Sequence, residues 1–396
     1  MYKFYHPLFR TYTFLSPTRV IFGPNSLEKL SDELKKFDLK SVLIVSGKNV
    51  CKTEGYKRVC ELLPSPIEFN EVLPEPDESV LQNLTSKVRE INPSLIIGVG
   101  GGSSLDMAKI ASIVAVNKKD PILYFKGEPI QNRGPPIITI PTLTGTGAEV
   151  TPISVIIHEG KKLALYNSFL YPTLSIVDPI LSISAPPDIT ASAGIDALSH
   201  ALESIMSIDS SIMTEPLALE AIRLSNDHLE RVYCNGEDIE ARSAMAIASI
   251  LAGISFMNTG LCLPHGIAYT YAVKYKLSHG ISVAIPQPYV IEFNAPSITN
   301  KLHLIASALG LDVTGASPYE TSNIISSRII EIMEFLKIPT DLSSIGIKES
   351  EIDIMVEDLI NNYSRFITKN PRKPSREDLF NLFQQMFQES WESGEV

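Results

Sequence analysis

Asp196 and His200 stand four residues apart in the stretch Gly194-Ile195-Asp196-Ala197-Leu198-Ser199-His200-Ala201. On a helix that spacing puts both side chains on one face, where they can share a metal ion. Their neighbours Ile195, Ala197, Leu198 and Ala201 are apolar, and a carboxylate among them is costly without a partner. His265 and His279 follow, fourteen residues apart, each ahead of a glycine. One Asp with three His gives a mixed oxygen and nitrogen donor set suited to Fe(II), Zn(II), Mn(II) or Ni(II), and spacing does not choose among them. A hydrogen-bonded core or cap residue is the commoner use of a single histidine. His6, His158, His228 and His303 are read that way.

A second chemistry-bearing segment is Gly98-Val99-Gly100-Gly101-Gly102-Ser103-Ser104-Leu105-Asp106, which leaves an apolar run and enters a helical pattern through Lys109. Glycines let a backbone approach a pyrophosphate closely, and the helix start presents amides to it. Ser103 suits an N-cap or a phosphate donor, and Asp106 a place in the first turn. A tight turn with an ordinary cap is the plainer alternative. The segment lacks the GxGxxG spacing of the common dinucleotide fingerprint. Pro141-Thr142-Leu143-Thr144-Gly145-Thr146-Gly147-Ala148-Glu149-Val150-Thr151 offers a polar lip at the end of another apolar run, or simply a Thr-rich turn. In dinucleotide sites an acid after a neighbouring strand binds the ribose 2′-hydroxyl and repels a 2′-phosphate. Here that position holds Gly47, with Lys48 and Lys52 after it, which favours NADP(H) over NAD(H).

These groups need elements to carry them. Residues 41–46, 94–99, 136–140 and 175–177 are continuous apolar runs, as buried parallel strands are. Helical spacing fills residues 26–36 and 79–91 between them, which predicts βαβ units in a Rossmann-like α/β domain. From residue 189 the pattern turns helical, with apolar residues at i, i+3 and i+4 over 191–206, 216–234, 239–256, 301–308 and 322–336. The expected domains are 1–184, binding NAD(P), and 185–396, all-α and carrying the metal. The C-terminal run from Glu389 to Val396 is expected to fray.

Composition sets outer limits. A chain of 396 residues that is 44% apolar can build ordinary cores. With 45 acidic against 34 basic residues its net charge is −11, which argues against nucleic acid or an anionic membrane as partner. Cys51, Cys60, Cys234 and Cys262 form no CxxC pair, so a disulfide framework is not expected and a cytoplasmic location is. No signal peptide and no apolar run long enough to span a bilayer are read from the sequence.

Together these segments resemble the iron-containing (group III) alcohol dehydrogenases through most of the chain. The family's GGGSxxDxAK is present as Gly100 to Lys109. Its PTTAGTGSEVT corresponds to Pro141 to Thr151 with Leu143, Thr144 and Ala148 departing, and its GxDALxHAxE is intact from Gly194 to Glu203. The family's last two ligands are histidines fourteen apart, and Asn370-Pro371-Arg372 also fits. The resemblance implies the dehydroquinate synthase-like fold and a metal, Fe(II) or another divalent ion such as Zn(II), on Asp196, His200, His265 and His279. It implies cofactor contacts from Gly101, Gly102, Ser103, Asp106, Thr142, Thr146, Lys162 and Leu181, with Gly47 where an Asp marks NAD-preferring members.

Two departures stand out. Tyr269 replaces a histidine that many members carry as a proton relay, and tyrosine, with an ordinary pKa of about 10, shuttles protons poorly at neutral pH. Glu75 replaces an Asn near the adenosine. The implied reaction is hydride transfer between NADP(H) and a small primary alcohol, diol or aldehyde, in a cleft between the two domains. Phe256, Met257 and Tyr269 are the expected substrate wall. A homodimer is expected, with neither nucleic acid nor membrane as partner. The alternatives are a polyol-phosphate dehydrogenase or a dehydroquinate synthase-like lyase of the same superfamily, and a non-catalytic protein retaining the fold. A phosphate-bearing substrate would call for more basic residues than Lys274 and Lys276 between Leu261 and His279.

Overall fold

Branched apolar residues on short, doubly covered runs favour parallel strands, and the computed structural model, which describes residues 11–387, contains such a sheet. Its strands are β1 (Arg19–Phe22), β2 (Val42–Gly47), β3 (Ile67–Val72), β4 (Leu95–Gly100), β5 (Ile137–Pro141) and β8 (Leu174–Val177). A separate hairpin is made by β6 (Ile153–His158) and β7 (Lys161–Tyr166). The sheet order is β1-β8-β5-β4-β2-β3, with every pairing parallel. Pleating sends alternate residues to opposite cores. Leu43 and Val45 meet the helices Glu78–Ile91 and Gly102–Val116, while Val42 and Ile44 pack with Leu27, Leu30, Tyr56 and Val59.

From β2 the chain steps to β3 on one side and then to β4 on the other. The direction of winding therefore reverses between β2 and β4. Their carboxyl ends, Ser46-Gly47 and Gly100-Gly101-Gly102, mark the switch point where open α/β sheets bind ligands.

The four expected strands are present within a residue or so of their expected bounds. β1, β3 and the β6–β7 hairpin are additions to that reading. The expected helix over 26–36 is instead a 3₁₀ turn, Ser26–Lys29, running into Leu30–Leu34. Among the described residues no strand follows Val177, and the second half is built of helices, including Pro187–Met206, Glu215–Cys234, Ile239–Thr259 and Pro318–Phe335. The last of these opens on a reciprocal capping box between Ser317 and Glu320. Residues Glu389 to Val396 and His6 lie outside the described residues.

The chain divides into two compact units. One comprises Ser16–Thr190 and Asn235–Ala246, and the other Ala191–Cys234 and the chain from Ile247, joined by residues 11–15. The division expected at 184/185 differs from this in three segments. Residues 185–190 and 235–246 belong to the unit that holds the sheet, and Arg242, 3% exposed, ties the two segments together by donating to the Ala185 and Gly236 carbonyls and to the Thr190 hydroxyl. Residues 11–15 join the helices, where Leu15 exchanges two hydrogen bonds with the Asn258 side chain. The expectation that no apolar run could span a bilayer also needs correcting. Ile239–Thr259 is long and apolar enough, but 67% of its most apolar window is buried within the protein, as in a core helix.

Candidate metal centre and cofactor loop

The Pro187–Met206 helix brings Asp196 and His200 onto one face, as their spacing requires. His265 sits in the first turn of the helix Leu263–Tyr269, and His279 is the first residue of His279–Ala284. One donor atom from each of the four lies within 4.8 Å of all the others. The Nε2 atoms of His200 and His279 are each 3.8 Å from Asp196 Oδ1. Asp196, His200 and His265 are 2%, 4% and 1% exposed, while the His279 side chain retains 26%. A carboxylate oxygen and three imidazole nitrogens, converging in a buried place, are the donor set a borderline divalent metal prefers. These residues fit the ion.

Glycine explains how the ligand helices come so close. A Cβ on Gly280 would lie 1.8 Å from the Ser192 carbonyl oxygen and 3.0 Å from Asp196 Cβ. A Cβ on Gly266 would lie 2.8 Å from Leu359 and 2.9 Å from Phe366. The His-Gly pairs thus set a candidate ligand beside a close contact, in which the glycine lets the histidine's helix pack against its neighbour.

Around the ligands lies an aromatic wall. Phe256 stacks on His200 with centroids 4.4 Å apart, and Tyr269 lies 5.9 Å from His279. Met257 is buried, on the same helix as Phe256. Sequence reasoning did not select Tyr363 and Phe366, whose rings each stand 5.4 Å from Tyr269. Nothing local marks them; only their closeness to the Asn370-Pro371-Arg372 motif could have drawn attention. It also passed over Glu203, the last residue of the GxDALxHAxE segment, whose Oε1 is 2.5 Å from His265 Nδ1. The motif itself was the available signal. Burial, reinforced by the Glu203 charge, pushes the Cys262 thiol well above its ordinary pKa, so it is an inert neighbour.

The glycine loop is shaped by sterics. Gly100 has φ 143°, and a side chain there would meet Ser104. A Cβ on Gly98 would stand 2.7 Å from Ala108, and one on Gly102 2.8 Å from Thr146. Thr142 donates its amide to the Gly100 carbonyl at 3.0 Å, which fastens the threonine lip to the loop. The N-cap of the following helix is Gly101, not Ser103, because the chain turns helical at Gly102. Ser103 Oγ instead accepts the Glu75 amide at 3.2 Å.

Asp106 is held by the framework. One carboxylate oxygen takes the Lys109 ammonium at 3.2 Å, and the other the Val155 amide of β6 at 3.0 Å. Burial raises the Asp106 carboxyl and lowers the Lys109 ammonium from their ordinary values, and their mutual attraction opposes both shifts. Lys162, 5% exposed on β7, pairs with Glu75 Oε1 at 2.5 Å. Glu75 adopts a left-handed backbone, φ 50°. Gly47 closes β2, where a Cβ would come 3.0 Å from the Val72 carbonyl oxygen, and Lys48 and Lys52 beyond it are exposed. Leu181 is buried in the turn Pro179–Ser182. Among the described residues the remaining histidines lie elsewhere. His158 Nδ1 contacts Glu78, His228 Nδ1 contacts the Leu224 carbonyl, and His303 is exposed.

Comparison with known proteins agrees with this architecture. The sequence profile described as "Iron-containing alcohol dehydrogenase" matches residues 17–179, and that of "Fe-containing alcohol dehydrogenase family, C-terminal" matches 190–387. The chain is similar to long-chain-alcohol dehydrogenase 1 of Geobacillus thermodenitrificans, with 33% identity over 386 residues covering 94% of this chain and 98% of the relative. It is 32% identical to the NAD-dependent methanol dehydrogenase of Bacillus methanolicus, covering 92% and 97%. Among solved structures, the alcohol dehydrogenase from Oenococcus oeni superposes with a TM-score of 0.90 at 29% identity, covering 95% and 100%. The chain belongs to the iron-containing alcohol dehydrogenase family, oxidoreductases acting on CH–OH donors.

Proposed function

We propose that this protein is a metal-dependent alcohol dehydrogenase or aldehyde reductase that transfers a hydride between NADP(H) and a small primary alcohol, diol or aldehyde. The observation that carries the reading is the convergence of donor atoms from Asp196, His200, His265 and His279 within 4.8 Å, in a chain of this family. These four residues would hold Fe(II), or Zn(II) in its place. A divalent metal bound there supplies Lewis acidity, which stabilises an alkoxide and lowers the alcohol's effective pKa.

The chain's own residues do the rest. Asp196 offsets part of the cationic charge, and the buried rings of Phe256 and Tyr269 keep water from the ligands. Tyr269 stands where a relay histidine would serve and is a poor proton shuttle at neutral pH, so water or the ribose of a bound cofactor would have to take the alcohol proton. Gly101, Gly102 and Ser103 would hold a pyrophosphate at the helix start, and Thr142 and Thr146 would shape the lip beside it. Asp106 and Lys162 act through the framework, and Leu181 lines the cofactor side of its own unit.

NADP(H) is favoured because Gly47 offers no carboxylate against a 2′-phosphate and the exposed Lys48 and Lys52 lie nearby in sequence. We extend the proposal to a cytoplasmic homodimer; free thiols at all four cysteines suit a reducing compartment.

A panel of short alcohols, diols and aldehydes, run with NADPH and NADH in parallel after reconstitution with Fe(II) or Zn(II), tests the reading. Turnover with NADPH favoured is expected. Absence of both metal retention and turnover overturns the dehydrogenase, and a clear NADH preference overturns the coenzyme choice alone. Light scattering on the eluted enzyme checks the dimer.

A further inference from the structure

We propose that Glu203 is a positioning residue of the metal centre, acting through His265 to fix which ring nitrogen faces the cation. The proposal rests on the metal-centre reading above. Glu203 follows Asp196 by seven residues and His200 by three, so one helix face carries two ligands and the group that orients a third.

Glu203 is 0% exposed. Its Oε1 meets His265 Nδ1 at 2.5 Å, and its Oε2 accepts the Cys262 amide at 2.8 Å. Cys262 is the N-cap of the short helix that carries His265. A single carboxylate thus holds both the imidazole and the start of the element bearing it. Burial raises the Glu203 carboxyl well above its ordinary value, against the amides of Cys262 and His265, which favour the charged form. Where Oε1 accepts from Nδ1–H, a neutral imidazole keeps its proton on Nδ1 and leaves the Nε2 lone pair for a metal. Nε2 is the atom left to join the cluster formed with Asp196, His200 and His279.

Glutamine at this place has nearly the same shape but one acceptor and one donor end. If its oxygen takes the Cys262 amide, its NH₂ faces Nδ1 and drives the ring proton to Nε2, the side of the metal. If its oxygen takes Nδ1–H, the NH₂ opposes the Cys262 amide. Either choice penalises the arrangement that binds a cation, and outer-shell partners of this type are worth about 10–100-fold in metal affinity.

The test is a Co(II) titration of the chelator-stripped full-length enzyme, followed by visible absorption, on wild type, Glu203→Gln, His265→Ala and the double variant, well below their melting temperatures. Expected are a Co(II) Kd raised about 10–100-fold in Glu203→Gln, with an altered ligand-field spectrum, and no further loss from Glu203→Gln once His265 is alanine. An unchanged Kd and spectrum in folded Glu203→Gln, or an equal loss in both backgrounds, overturns the positioning role. Glu203→Asp, which keeps the charge but falls one methylene short of the ring, replaces Glu203→Gln in the cycle if that variant does not fold. If wild type itself binds no Co(II), the metal-centre reading fails instead, which is a distinguishable result.

Discussion

At Gly280 a single methyl group decides how near His279 comes to Asp196. Its Cβ would fall 1.8 Å from a backbone oxygen, which no side-chain rotation relieves. Gly280→Ala should therefore lower metal content after gel filtration severalfold while every ligand remains in place; unchanged content would show that the helix shifts without cost. Glu292 gives a prediction in pH. Burial raises its carboxyl to about 7, and a Ser326 hydrogen bond pulls the other way. The folded protein keeps this proton where the unfolded chain, near 4.5, has released it. The associated stability is complete below about pH 4.5 and is lost as pH rises toward 7. Glu292→Gln should accordingly raise Tm at pH 8 and leave it unchanged at pH 4.5, and equal shifts at both pH values would refute the assignment. Asp196 and His200 were legible because helical period alone brings them together. Phe366 and Tyr363 were not, since their closeness to Tyr269 is purely tertiary.

The glycine loop is the element through which strand and helix chemistry meet. Gly102→Ala would place a methyl 2.8 Å from Thr146, and NADPH affinity should fall at least tenfold while Co(II) binding at the four ligands stays at the wild-type level. Fluorescence titration reads the first and absorption the second. Lys109 anchors the same helix to β6 through the Asp106 pair and the Ile153 carbonyl. Lys109→Met leaves a buried carboxylate without its cation, which costs about 3–5 kcal/mol; denaturant unfolding measures it, and a loss below 1 kcal/mol would count against the pair. The apolar runs of β2, β4, β5 and β8 were readable because parallel strands covered on both faces are apolar throughout. β6 and β7 went unread although they carry a sign: two runs separated by Glu159-Gly160, both at positive φ, make a two-residue hairpin turn. β3 was missed because its polar positions, Glu68, Asn70 and Glu71, break the apolar run.

At the scale of the whole molecule, the acidic excess bears on polyanion partners and leaves the local sites to their own residues. A ligand that binds only the folded form stabilises it by mass action, about 2.7 kcal/mol at one hundred times its Kd. Chelating the metal should thus lower the melting temperature of the helical unit and leave that of the sheet-bearing unit to respond to NADPH. Calorimetry with each ligand added singly checks the separation, and a single transition moved equally by both would contradict it. The alternation of strands and helices and then helices alone made the two-part plan legible. The grouping of residues 235–246 with the sheet-bearing unit was not, because Arg242 reaches groups more than fifty residues earlier in the chain. That grouping has a consequence for the order of synthesis. All eight strands have left the ribosome before Arg242 is made, yet the unit they belong to lacks its final clamp on Ala185 and Thr190 until then. The sheet-bearing unit must wait for that clamp until after the helix carrying Asp196 and His200 has been translated.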